Sequence, residues 1–300
     1  MGLAALQAQL VQGAQAGSGV HDLSEEALIR LGIALGMLAG MSCWEVFAPR
    51  RAWREPRRPR WIGNLGLAAL NALLLRLLFP AGLLAVAAWC EAQHMGLLAQ
   101  SDLPDGLKVL LAIVAMDAVI YGQHVMFHRV GTLWRLHMVH HADKDLDVSS
   151  GLRFHPLEMM LSFAIKALAV CLLGAPVLAV LIFEVLLNAL AMFNHGNVLL
   201  PGLFERRLRL LVVTPDMHRI HHSVLPQEHN SNFGFNLSCW DRMFGTYRPH
   251  PKQGHAHMEL GLTPFRTDPT HDLTWMLCLP WRGRMSQYPT EQDQDGVGHE

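Results

Sequence analysis

Two copies of one pentapeptide pattern, His137-x-x-His140-His141 and His218-x-x-His221-His222, stand out among the 18 histidines of this 300-residue chain. His124-x-x-x-His128 lies just ahead of the first copy. A specified histidine triplet should arise by chance only ~0.06 times in a chain of this composition, so two copies exceed what composition supplies. His-x-x-x-His is expected about once and counts only through its position. On a helix, three imidazoles at this spacing lie within about a 100° arc, the last two flanking the first. Adjacent histidines can then face two neighbouring metal ions. His21, His94, His250, His255, His257, His271 and His299 follow no such pattern and read as scattered surface or core histidines.

Neutral imidazole suits iron, copper, zinc or nickel, so ligand type leaves the metal open. Number narrows it: a closed zinc site takes four ligands and a catalytic one usually three, whereas eight or more imidazoles are enough for two metals with open positions. Zinc peptidases need a glutamate between their histidines as general base, and here Met138, Val139, Arg219 and Ile220 fill those places. Two rival readings stay open, a zinc-dependent membrane hydrolase and a metal-binding or metal-transport membrane protein. The second calls for acidic or histidine residues along every span, and only Asp117 and Glu184 fit.

The elements that must carry these residues are apolar. Hydrophobic residues make up 51% of the chain and charged residues 16%, too apolar for an ordinary soluble enzyme. A net charge of −1 and the lack of a nucleic-acid motif argue against nucleic acid as a partner. Stretches of membrane-spanning length run roughly over 28–48, 63–90 and 107–127. A fourth, 157–193, is too long for one crossing and breaks at Gly174-Ala175-Pro176, which predicts a helical hairpin. The fold class expected is an all-α integral membrane protein of about four spanning elements, the last a hairpin, with a cytoplasmic histidine-bearing helical cap. Residues 1–29 and 91–107 contain no Lys or Arg, whereas Arg50, Arg51, Arg54, Arg57, Arg58 and Arg60 follow the first span. The positive-inside rule then puts the N-terminus outside, and every clustered histidine at or beyond a cytoplasmic span end, in a bacterial inner membrane or the endoplasmic reticulum. No cleaved signal peptide is expected, and the polar segment after Gln287 is expected to be a disordered tail. The five cysteines are dispersed and read as packing residues.

A site where apolar helices meet the cytoplasm can take a lipid chain from the bilayer and electrons from a reductase. An unactivated C–H bond has neither an acidic proton nor an electrophilic carbon, which leaves one-electron O2 chemistry at iron as the natural inference. The sequence resembles the fatty acid hydroxylase and sterol desaturase superfamily of membrane di-iron oxygenases. The likeness is carried by Asp117-x-x-x-Tyr121-x-x-His124-x-x-x-His128-Arg129, Leu133-Trp134-Arg135-x-His137-x-x-His140-His141 and Arg153-x-His155-Pro156. Asn194-His195-Gly196-Asn197, Thr214-Pro215-x-x-His218-Arg219-x-His221-His222, Asn232-x-Gly234 and the run Trp240 to Tyr247 continue it. It divides the chain into an extracytoplasmic segment 1–27, spanning helices 28–112, a catalytic domain 113–248 and a cytoplasmic extension 249–300.

The resemblance implies that His124, His128, His137, His140, His141, His218, His221 and His222 are iron ligands. His195 matches the isolated histidine after the family's hairpin and is the ninth. The fatty-acid branch of the family supplies two histidines from this region, so a water, Asn194 or Asn197 is expected in the other place. His155 and His229 are ambiguous between ligand neighbour, substrate contact and surface residue. Two irons with O2 as co-substrate, a lipid substrate and an electron-donor reductase resembling cytochrome b5 or a ferredoxin complete what the family implies. Hydroxylation and desaturation are not distinguished. Asp117, seven residues before His124 on the same helical face, is a candidate to orient a ligand ring or to make a plain helix–helix hydrogen bond. Asp143, Asp145, Asp147, Asp216 and Asp241 read as solvated or capping residues, the last two with possible roles beside the ligands. Lys166 and Glu184 read as a buried pair, Arg76 as snorkelling or paired within the bundle, and Trp134, Trp240 and Tyr247 as an interfacial belt.

Overall fold

The apolar runs become helices, and proline and glycine set their ends. The computed structural model describes residues 23–282. It is all-helical, and among the described residues β-structure is limited to three isolated bridges. The expected extracytoplasmic segment up to residue 22 and the polar tail after Gln287 lie outside the described residues. The first seven helices are α1 (Leu23–Phe47), α2 (Arg57–Leu78), α3 (Gly82–Ala92), α4 (Asp105–Arg129), α5 (Gly131–His141), α6 (Pro156–Leu173) and α7 (Val177–His195). With α2 and α3 taken together, all but the short α5 give five stretches long and apolar enough to cross a membrane, by length and composition.

α6 and α7 form the hairpin that the Gly-Ala-Pro break predicts. Gly174 ends α6 in the left-handed region at φ 63°, ψ 46°, and Pro176 opens α7. α2 and α3, expected as one unbroken span, are interrupted at Phe79-Pro80-Ala81, yet they still make a single passage alongside α6. Asn71 Nδ2 donates to Phe154 O (2.7 Å) at one end of α6, and Phe79 stacks on Phe163 (4.3 Å) farther along. Leu97 N and Leu98 N donate to Leu172 O and Leu173 O at the hairpin tip. The remaining helices are short: α8 (Gly202–Leu208), α9 (Pro215–His221), α10 (Pro226–His229), α11 (Cys239–Met243), α12 (Gly254–His257) and α13 (Leu273–Cys278).

The outer faces of the long helices carry exposed Leu28, Leu35, Leu73, Leu110, Leu168 and Leu172, the composition of a lipid-facing surface. Within the bundle, Glu184 is held by Lys166 (3.6 Å), as expected, and also by Arg30 from α1 (2.7 Å). Arg76 donates to Pro80 O at the α2 break (3.0 Å).

The stretch between α5 and α6 departs from expectation. Asp143, Asp145 and Asp147 are fully buried rather than solvated, because Arg60 from α2 penetrates the loop. Its guanidinium meets Asp143 and Asp147 at 2.7 Å each and also donates to Asp145 O. Burial alone would raise Asp143, but the charge and hydrogen bonds of Arg60 outweigh it and hold the carboxyl well below the usual carboxylate range. Breaking one partner of a buried pair like this costs about 3–5 kcal/mol, so Arg60 anchors the loop that precedes α6. Asp147 also caps the turn Val148–Leu152, the capping half of the expectation. Trp134 is not in an interfacial belt: it is packed in a core with Met138, Phe265, Trp275 and Met276.

Candidate metal centre

Local sequence explains how each histidine arrives. Only Val130 separates α4 from α5, so α5 folds back and brings its histidines against the C-terminal turns of α4. Thr214 caps α9, its hydroxyl accepting from Met217 N, and Pro215 occupies the first turn. His222 closes that helix as its C-cap, and His195 is the last residue of α7.

The nine candidate ligands divide into two groups. His124, His128, His137, His141 and His221 form one, and His140, His195, His218 and His222 the other, with the ligand atoms of each group within 4.8 Å of one another. Each adjacent pair is split: His141 and His221 go to the first group, His140 and His222 to the second. Ring nitrogens meet at 3.1 Å (His128 to His141), 3.0 Å (His140 to His195 and His195 to His218) and 3.2 Å (His218 to His222), all Nε2 to Nε2. No carboxylate belongs to either group.

The outer nitrogens fix the tautomers. Carbonyl oxygens can only accept, so Nδ1 of His124 donates to Phe233 O, of His140 to Arg153 O, of His195 to Ala191 O and of His221 to Ser231 O, at 2.6–3.1 Å. His137 Nδ1 donates to Glu158 Oε1 at 2.7 Å. Among the described residues Glu158 is the only carboxylate bonded to any of the nine rings. Each of these five rings therefore turns a lone pair on Nε2 inward. Nε2 of His124, His137 and His221 is buried without a hydrogen-bond partner, an arrangement that costs free energy unless a metal takes the lone pair. Burial first, then the neighbouring imidazoles, holds His140, His141, His218 and His222 well below the ordinary histidine range, and burial with His124 does the same for His221. Neutral imidazole is the metal-binding form. The donor set thus fits two borderline metal ions, one in each group.

Other candidates fall elsewhere. Asp117 accepts from Leu237 N (3.0 Å) and Trp240 Nε1 (2.8 Å), the plain structural bond of its two readings. Seven residues along a helix is about 10 Å, too far for its carboxylate to reach the His124 ring. Asp241 is buried and accepts from Phe233 N (2.7 Å) and Gly234 N (2.8 Å), so it fixes the loop whose carbonyl orients His124. Asp216 pairs with Arg50 and Arg219 and ties α9 to the end of α1. His155 caps α6 by accepting from Leu157 N and also meets Leu277 O; it joins neither group. His229 is buried beside Trp134, its ring 6.2 Å from that of His128, outside both groups. Asn197 bonds to the backbone of Arg51, and Asn194 Nδ2 donates to Phe235 O while its buried Oδ1 has no hydrogen-bond partner among the described residues. Sequence reasoning missed Glu158, whose signal was an acid in the first turn of the helix that His155 and Pro156 open.

Residues 109–246 match the model of the fatty acid hydroxylase family. The chain is similar to the ornithine lipid hydroxylase OlsE of Rhizobium tropici, with 31% identity over 53% of this chain and 47% of that protein. Alkylglycerol monooxygenase of Danio rerio is 32% identical over 46% of this chain and 30% of its own length. Cholesterol 25-hydroxylase of Rattus norvegicus is 28% identical over 48% of this chain and 49% of its own. The matched part thus spans half or less of each relative. No solved structure matches the chain. With its five apolar helices, the chain is a multi-pass membrane protein.

Proposed function

We propose that the protein is a membrane lipid hydroxylase that holds two irons, one in each histidine group, with all nine histidines as ligands. The observation that carries this reading is the partition of nine buried or part-buried imidazoles into two carboxylate-free groups at one end of an apolar bundle. When bound, the irons supply the one-electron chemistry with O2 that replaces an unactivated C–H bond by C–OH. The chain's own residues do the rest. Carbonyls at Phe233, Arg153, Ala191 and Ser231, and the Glu158 carboxylate, hold five rings in one tautomer and orientation. Among the described residues Glu158 is the anion bonded directly to a ligand ring, and through His137 it offsets part of the positive charge of an all-imidazole site. Phe154, stacked on His140 at 4.4 Å, and Trp134 shield the rings from bulk water.

The names of the relatives favour hydroxylation over desaturation, and a substrate with a long apolar body. The arginines at 50–60 favour a histidine end facing the cytoplasm, where an external reductase supplies two electrons per turnover. The division into 1–27, 28–112, 113–248 and 249–300 belongs to the same proposal. The test is turnover under isotopically labelled O2, with lipids extracted from cells carrying the intact chain or His140→Ala. One labelled oxygen atom in a product that the variant does not make is the expected result. Product formation without O2 or reductant would instead support a zinc-dependent hydrolase.

A further inference from the structure

Beyond the spanning helices the cap carries its own apolar surface. Leu203 and Phe204 on α8, Leu210 and Leu211 just after it, and Met243 and Phe244 at the end of α11 are each 53–69% exposed. The two segments are one surface: Ser238 N donates to Leu211 O, and Arg242 and the Ser238 hydroxyl both donate to Arg209 O. On α8 the polar side chain that faces inward is Glu205, which holds Arg209 and accepts from the Thr214 hydroxyl, so the leucine and phenylalanine point out by default. Six large apolar groups turned toward water in one place would be an aggregation hazard in a soluble cap.

The height of this surface relative to the spans identifies what covers it. Leu237 N and Trp240 Nε1 bond to Asp117, which lies twelve residues, about 18 Å, before the end of α4 at Arg129. Phe244 stacks on Tyr121 (5.3 Å), eight residues or about 12 Å before the same end. Exposed apolar residues continue on α4 as far as Met126 and on to Val130 just past its end. On the other side, Leu199 N donates to Ala48 O, and the Pro49–Val198 bridge joins this stretch to the end of α1, where Val46 and Phe47 are exposed. The apolar face is therefore continuous with the lipid-facing sides of α1 and α4 and descends beside them. Exposed Arg206 and Arg207 follow Phe204 after the inward-facing Glu205, the arrangement of a short interfacial helix with cationic side chains at phosphate level.

We infer that the stretch 199–211 and α11 lie in the lipid leaflet on the histidine side, with leucines and phenylalanines among the acyl chains and Arg206 and Arg207 at the headgroups. The occupant of this face is the bilayer itself, not a soluble protein. As a consequence His124, one turn above Tyr121, sits close to acyl-chain depth, and a lipid can reach the histidine groups without leaving the membrane.

The test uses the full chain in lipid nanodiscs. An environment-sensitive fluorophore is attached to single cysteines at Phe204, Leu211 and Phe244 in a background without the native cysteines, keeping only variants that retain the metal content of the parent. Leu168, exposed in mid-span, and Gln253, exposed in the cap, serve as references. At all three positions, quenching by spin-labelled lipid as at Leu168 and protection from aqueous iodide are expected. Quenching by iodide as at Gln253 would overturn the inference and leave the face to a soluble partner. Should the labelled variants fail to fold, hydroxyl-radical oxidation of Met243 in the unaltered protein decides. Protection of tenfold or more relative to the detergent-unfolded chain supports burial in lipid, and equal rates refute it.

Discussion

His221 and His222 are consecutive in sequence and face different groups, so the site's division can be tested one residue at a time. If each group holds one iron, His221→Ala weakens the five-histidine group and His222→Ala the four-histidine group. Each single variant is expected to retain about one iron per chain by elemental analysis, and the double variant close to none. Equal loss of both irons from His222→Ala alone would show one shared cluster instead. Glu158 allows a second test, because a carboxylate on the outer nitrogen of a ligand typically adds 10–100-fold in metal affinity. Glu158→Ala is expected to release iron to a chelator at concentrations about 10–100-fold lower than the parent needs, and Glu158→Gln, which still accepts from His137, to lie between. A parent-like Glu158→Ala would remove the residue from the site. The alternation of the histidines was legible in sequence because helical rotation is a local property. Glu158 was not, since it reaches His137 from another helix, 21 residues away. For Asp117 the sequence left two readings open for a related reason: sharing a face fixes rotation but leaves about 10 Å of axial rise unaccounted for.

At the scale of elements, the hairpin tip holds the parts together at the end remote from the histidines. Gly174 is in a left-handed conformation, and a Cβ added there would lie 2.3 Å from Met95 O. Gly96 sits against it with φ 96°, and its own added Cβ would meet Gly174 N at 2.1 Å. Gly174→Ala must therefore hold αL with a Cβ, at about 1–2 kcal/mol, and also push back the 93–98 loop that donates to Leu172 O and Leu173 O. A fall in melting temperature of roughly 4–8 °C in detergent is expected for a total cost of about 2 kcal/mol. Gly106→Ala, with open space at that position, should leave it unchanged or raise it slightly. Equal effects at the two glycines would contradict the packed tip. The Gly-Ala-Pro break announced the hairpin because those residues act on their own backbone. The docking of Gly96 on Gly174 gave no such signal, since two glycines 78 positions apart carry no local mark of contact. The break between α2 and α3 at Pro80 lay in a run that hydrophobicity alone joins into one span, and only the pairing with α6 shows that the two pieces make one passage.

For the whole molecule, every histidine-bearing end lies together: the C-terminal ends of α4 and α7, the folded-back α5 and the cap helix α9. The C-terminal end of α1 joins them through Glu45, which accepts from Asn197 N and Val148 N, and the N-terminal end of α2 through Arg60. The hairpin tip and the 93–98 loop are at the opposite end. With the five candidate spans arranged this way, the sign of the charge at one end sets the orientation expected of all. That end holds the arginines of 50–60, while 91–107 at the other contains no Lys or Arg. Reporters fused after residues 55 and 290 should therefore be active in the cytoplasm, and one after residue 20 outside it. The 20 and 290 fusions test different things. If the 290 fusion reports outside while 55 reports inside, the chain makes one crossing more or fewer after residue 60 than the hairpin allows. If all three invert together, the bundle stands but the histidine groups face the outer compartment, and an electron donor must be sought there.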